Sequence, residues 1–194
     1  MMLPSRDIVD SAGIATGLRL LAEQLGKPIV VYLKHDRWLD PQHIRALESD
    51  GVISWVKYAV VRDDPSQDDY LREVIDVFPA SRIVSGIGEQ PAIVHLRDFG
   101  ITGFTSGCVC VNPEQSMAML GSIQSGDHEM AESIRSYFKP LEDLRDTIHP
   151  IRVLHYAVAA AGIAQTGPIQ PMLSDVGDDV RTRVQEALKQ MKLI

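Results

Sequence analysis

Cysteine is nearly absent from this chain. Cys108 and Cys110 are the two in 194 residues, a spacing that makes a poor structural disulfide and too small a set for a structural metal site. A reducing, cytoplasmic setting is the default expectation. Basic charge is not in excess either: the formal net charge is -7. No stretch gathers the lysines and arginines that neutralise phosphates, so nucleic acid is not an expected partner. No apolar run is long enough to span a bilayer, and the N-terminus lacks a charged segment followed by an apolar one, so no membrane association is expected. Metal-ligand spacings such as His-x-x-x-His are also missing. His35, Asp36, His43, Asp63, Asp64, Asp68 and Asp69 therefore do not read as a metal site; a helix-start cap and a solvated turn explain the acids, and His95, His128, His149 and His155 read as ordinary helix or turn residues. There is no internal repeat beyond an alternation of strands and helices.

That alternation occupies the first two thirds of the chain. "KPIVVYL" at 27–33, "GVISWVKYAVV" at 51–61, "SRIVSGIG" at 81–88 and "GITGFTSG" at 100–107 read as strands, and "MMLP" at 1–4 as the end of another. Amphipathic helical patterns lie at 13–26, 40–50, 68–78 and 89–100, with Asp40-Pro41 at a helix start and Gly26 and Gly100 just past helix ends. Strand, helix, strand at this period predicts parallel βα units, whose strands are apolar throughout because both faces are covered. From about residue 113 the strands stop and four helical patterns follow. The third, "PIRVLHYAVAAAGI", is apolar nearly all round and is expected to be buried against its neighbours. The proline-rich "TGPIQPML" at 166–173 is a connector.

Two α/β architectures compete. A doubly wound sheet needs a glycine-rich phosphate turn after its first strand. "SGIGEQP" at 85–91 offers Gly-x-Gly before a helix, but after a late strand and without the third glycine, so it reads as a tight βα turn. A (βα)8 barrel gathers its functional groups at the C-terminal ends of its strands. Tyr32, Lys57, Ser85 with Gly86, and Thr105 with Ser106 all sit near strand ends, which favours the barrel.

Lys57 is the residue that asks for chemistry. An ammonium inside an apolar strand is costly unless it is paired, reaches water or gives up its proton. One reading is a lysine whose stem packs in the core while its head is solvated. The other is a nucleophilic amine, activated by partial burial.

The order "IVVYL…R", "WVKYA", "RIVSGIGE", "GITGFTSG" and "HPIRVLHYAVAAAGI…GPIQPMLS" resembles the dihydrodipicolinate synthase and N-acetylneuraminate lyase family of class I aldolases, and does so along essentially the whole chain. The resemblance implies an α/β fold, a (βα)8 barrel with a C-terminal helical extension. On the family pattern residues 1–125 form the barrel part and residues 126–194 the extension. It also implies that Lys57, on the sixth strand, forms a Schiff base with a 2-oxo acid such as pyruvate, and that Tyr32, at the end of the fifth, relays protons. Arg37 coincides with a family arginine that meets the acid group of the second substrate, although the loop "YLKHDRW" departs from the usual Tyr-Asn-x-Pro. Gly86 and Thr105 match positions whose backbones line the 2-oxo acid site. No metal or organic cofactor is implied, because the lysine carries the electrophile.

The resemblance starts near the end of the family's fourth strand, so strands one to three have no counterpart in these residues. The Thr-Thr pair after the second strand and the tyrosine after the fourth are likewise missing. A partial barrel exposes strand edges and an apolar inner face, which leads to the expectation of a homo-oligomer, or of a second chain that completes the barrel. Three functions stay open: a lyase or aldolase of the dihydrodipicolinate synthase kind, a sugar-acid dehydratase of the same family, and a catalytically inactive α/β interaction module.

Overall fold

A computed structural model describes residues 8–194; the segment 1–4, read above as a strand end, lies outside them. Two compact units are present. The first runs to Ile87 and takes in Val94–Phe104; the second comprises Gly88–Ile93 and Thr105–Ile194.

The first unit is built from βα repeats: α1 (Ser11–Leu25), β1 (Ile29–Leu33), α2 (Pro41–Ser49), β2 (Ile53–Tyr58), α3 (Asp69–Ile75), β3 (Ile83–Ser85), α4 (Ala92–Phe99) and β4 (Gly103–Phe104). Helix boundaries follow their caps. The Asp10 carboxylate accepts from Gly13 N–H at the start of α1, and Gly26, at φ 63°, closes that helix in the left-handed region that only glycine enters cheaply. Pro41 occupies the first turn of α2, where its missing N–H costs nothing. The four strands pair in parallel and in chain order, β1-β2-β3-β4. A doubly wound sheet reverses its strand order at a switch point; this sheet never does among the described residues. It is wound as part of a barrel, as expected from the strand-end residues.

The two faces of the sheet differ. Val31 and Leu33 of β1, Val56 and Tyr58 of β2 and Ile83 of β3 are buried in one core with Ile44, Leu47, Leu71, Val74 and Phe78 from the helices and the turn after α3. On the other face Val30 is 60% exposed, Tyr32 44% and Trp55 40%. The expectation of strands covered on both sides thus holds for the helix side alone. Nothing among the described residues of this unit covers the face that a closed barrel turns inward.

His95 of α4 is buried in this unit, its Nδ1 2.8 Å from Ser85 Oγ, with the rings of Tyr58 and Phe99 edge-on to it. Burial lowers its pKa to about 4, with a small opposing pull from Asp68. The imidazole is therefore neutral in the folded state and charges more readily in the unfolded chain. This stabilisation is present above pH 6.5 and is lost as the pH falls toward 4, amounting to about 3 kcal/mol. Urea midpoints between pH 7 and pH 4.5 are expected to fall less steeply in His95→Gln than in the wild type; parallel slopes would exclude this assignment.

The second unit is helical: α5 (Pro113–Ser125), α6 (His128–Thr147), α7 (Pro150–Ala160) and α8 (Asp178–Gln190). Helix α6 packs against the other three and buries Ala131, Ile134, Phe138, Leu141 and Leu144. Helix α7 departs from the sequence expectation. Only Val153 and Ala157 are buried, while Ile151 is 59% exposed. Within this unit its neighbours are α6, α8 and the turn Cys108–Cys110, which cover one stripe of an apolar helix and leave the rest open. No helix among the described residues is long and apolar enough to cross a membrane.

Candidate active site

Lys57 is the next-to-last residue of β2 and lies directly beside Tyr32 of β1 in the parallel register. Residues paired in this way project to the same face, here the exposed one. Lys57 Nζ sits over the Tyr32 ring, 4.7 Å from its centroid, close enough for the ring quadrupole to attract the ammonium. Among the described residues no carboxylate forms an ion pair with Lys57. Lys57 is half-buried as a whole.

Gly86 explains how the stem fits. It follows β3, and its N–H donates to the Tyr58 carbonyl at 2.6 Å. A Cβ here would stand 2.9 Å from both Cγ and Cε of Lys57 and 3.0 Å from the Ala59 Cβ. The absence of a side chain at 86 lets the lysine lie flat across the strand end. Lys57, Tyr32 and Gly86 are thus brought together within one unit.

Arg37 is placed differently. Its backbone is left-handed, at φ 50°, and its guanidinium grips Glu73 of α3 with two bonds of 2.8 and 2.5 Å. It also stacks 5.8 Å from the Tyr70 ring. The Arg37 guanidinium hydrogen-bonds Glu73 and holds its carboxyl below the usual range. Both terminal nitrogens of Arg37 are thus engaged by Glu73. Thr105 opens the second unit immediately after β4, and its carbonyl accepts from Gly88 N–H at 3.1 Å.

Behind the sheet, Asp68 is more than the cap of a solvated turn. It caps α3 by accepting from Leu71 N–H at 3.0 Å, yet it is fully buried. It also accepts from Tyr58 Oη at 2.7 Å and Arg62 Nη2 at 3.0 Å, and Arg62 in turn bonds Asp36. Burial first, and then the bond to Asp68, pushes the Tyr58 phenol far above its ordinary pKa. Tyr58 neighbours Lys57 in sequence but points to the opposite face, so this network anchors the strand that carries the lysine.

Sequence reading missed a second polar group, in the helical unit. Glu89 and Glu142 are both fully buried. Ser106 Oγ and Ser116 Oγ donate to the two oxygens of Glu89 at 2.5 and 2.8 Å, and Arg145 Nη1 donates to Glu142 Oε1 at 2.8 Å. Burial raises the Glu142 carboxyl to about 7, with Arg145 pulling it down and Glu89 pushing it further up. Burial also drives the nearby Cys108 thiol far above its usual range, followed by the charge of Glu142. The residues come from positions 89, 106, 108, 116, 142 and 145, too far apart for any local pattern.

No protein-family model matches the sequence, and no curated protein matches it. Solved structures do. Dihydrodipicolinate synthase from Oceanobacillus iheyensis superposes with a TM-score of 0.84 at 25% identity, over 99% of this chain and 63% of that one. The enzyme from Bacillus clausii gives 0.82 at 23% identity, over 96% and 62%, and that from Thermotoga maritima 0.78 at 18%, over 96% and 63%. In fold this chain is therefore dihydrodipicolinate synthase-like, and it spans less than two thirds of the length of the enzymes it resembles.

Proposed function

We propose that this chain carries the nucleophile of a Schiff-base lyase acting on a 2-oxo acid such as pyruvate. The observation that carries the reading is the pair Lys57–Tyr32. An amine without a carboxylate partner among the described residues lies 4.7 Å from a phenol ring centroid on an open face, at the C-terminal ends of parallel strands, where barrel enzymes do their chemistry. The unprotonated amine adds to the ketone carbon, and the carbinolamine loses water to give an iminium. Loss of a proton from the adjacent carbon then gives an enamine, which makes a carbon–carbon bond with an aldehyde; the reverse sequence breaks one. Tyr32 is suited to passing the protons, since a phenol both donates and accepts. Gly86 supplies backbone along the 2-oxo acid, and Arg37, once freed from Glu73, the contact to an acid group.

A dehydratase acting on a sugar acid uses the same iminium and differs in expelling a hydroxyl group. A second reading, a non-catalytic interaction module, is favoured by the exposed Val30 and Trp55 on the sheet face. In either case the open face is the surface that a second copy or another chain would cover.

The test is to treat the purified chain with pyruvate and borohydride and to map the modified peptide by mass. A pyruvate-sized adduct on Lys57 supports the lyase; a folded chain without adduct supports the interaction module. Gly86→Ala sharpens the result. The added methyl displaces the lysine stem, and the rate of adduct formation is expected to fall about 100-fold with folding retained, as small misplacements of a reacting group do. An unchanged rate would separate Gly86 from the site.

A further inference from the structure

The lysine chemistry leaves unused the buried group in the helical unit. One carboxylate oxygen each from Glu89 and Glu142 and the Cys108 sulfur all lie within 4.8 Å of one another, and all three residues are buried. The two oxygens of Glu142 are treated differently. Oε1 receives the Arg145 bond, whereas Oε2 is buried with no hydrogen bond from an N–H or O–H group among the described residues, the Cys108 thiol being the polar group beside this carboxyl. A carboxylate oxygen in that condition is rare in folded proteins and calls for an explanation. The carboxylate packs directly on Gly88, where a Cβ would stand 2.5 Å from Oε2 and 2.8 Å from Oε1, so only glycine lets Glu142 reach this position. Glu89 is held by the hydroxyls of Ser106 and Ser116, one on each oxygen, which keeps a lone pair free on both. Hydroxyls that orient a carboxylate in this way are the usual outer partners of a metal ligand.

We propose that Glu89, Cys108 and Glu142 form a site for one divalent transition-metal ion of the zinc class, with water as a fourth ligand. A thiolate beside two carboxylates suits zinc rather than magnesium or calcium, which take oxygen alone. Charge balances as well. Two carboxylates and one thiolate carry three negative charges, a divalent ion cancels two, and the third faces Arg145, which it shares with the half-exposed Asp146. On binding, the Cys108 S–H bond breaks, its proton leaves to solvent and the sulfur takes the metal, with no change of oxidation state. This inference is independent of the Schiff-base reading.

The full chain, stripped of metal with a chelator, is dialysed against zinc chloride and, separately, cobalt chloride. One tightly held zinc per chain and a raised melting temperature are expected. The cobalt form is expected to show an intense near-ultraviolet thiolate-to-metal band. Cys110→Ser, which alters the exposed cysteine, should keep that band, and Cys108→Ser should lose it. Ser116→Ala, which leaves all three ligands in place, should weaken zinc binding about 10- to 100-fold. A folded wild-type chain that retains no stoichiometric zinc, or whose cobalt form lacks the thiolate band, overturns the proposal without recourse to any variant. So does a band that persists in Cys108→Ser.

Discussion

Replacing Lys57 by alanine is expected to abolish the borohydride-trapped pyruvate adduct completely while leaving the fold in place. Among the described residues of the first unit the ammonium's partner is the Tyr32 ring, an interaction of about 0.5–1 kcal/mol at an exposed site. The loss of stability should therefore be about 1 kcal/mol, read from urea unfolding, against total loss of covalent trapping. Lys34→Ala is the control, since it removes an exposed amine just past β1 and should keep the adduct. Adduct retained in the Lys57 variant would show that pyruvate is captured by some other amine, and the assignment of Lys57 would fall.

The largest effect on stability is expected at Asp68. Its carboxylate takes hydrogen bonds from Tyr58, Arg62 and Leu71 N–H with no exposure to water. Asp68→Ala leaves the buried Tyr58 phenol without its acceptor, leaves Arg62 with Asp36 alone, and removes the cap of α3. Breaking such a pair from one side costs about 3–5 kcal/mol, which corresponds to a fall in melting temperature of about 6–20 °C for a chain of this size. Asp68→Asn keeps the acceptor toward Leu71 and removes the charge opposite Arg62, so it should lose roughly half as much. A drop of under about 1 kcal/mol in the alanine variant would mean that Tyr58 and Arg62 find other partners.

The strands and helices were legible because their signals are local. The β-branched run around Val31, the Asp40-Pro41 start and Gly26 past the end of α1 each specify structure within a few residues. The pairing of Tyr32 with Lys57 was within reach for a similar reason: both sit near the ends of adjacent strands, and a parallel register brings strand ends together. Arg37 shows where this kind of reading stops. Its acceptor, Glu73, lies 36 positions away, and no pattern near "KHDRW" names it. Glu89 and Glu142 were missed because an acid in a helix or turn defaults to solvent; only the fold puts Ser106, Ser116 and Arg145 against them. Helix α7 was over-read in the opposite direction. Its apolar composition says what could be buried, whereas burial depends on how many neighbours arrive.

The alternation of the strands has an optical consequence. Trp55 and Lys57 are two apart on β2, so they project to the same face roughly 7 Å from each other along the strand. The chain contains one further tryptophan, Trp38, which is half-buried against the helix-side core. Intrinsic fluorescence therefore divides into an emitter packed away from the candidate site and one standing beside it. Anything that condenses with the amine, or covers that side of the sheet, enters the surroundings of Trp55 first. The molecule carries its own dye at the place where occupancy has to be read.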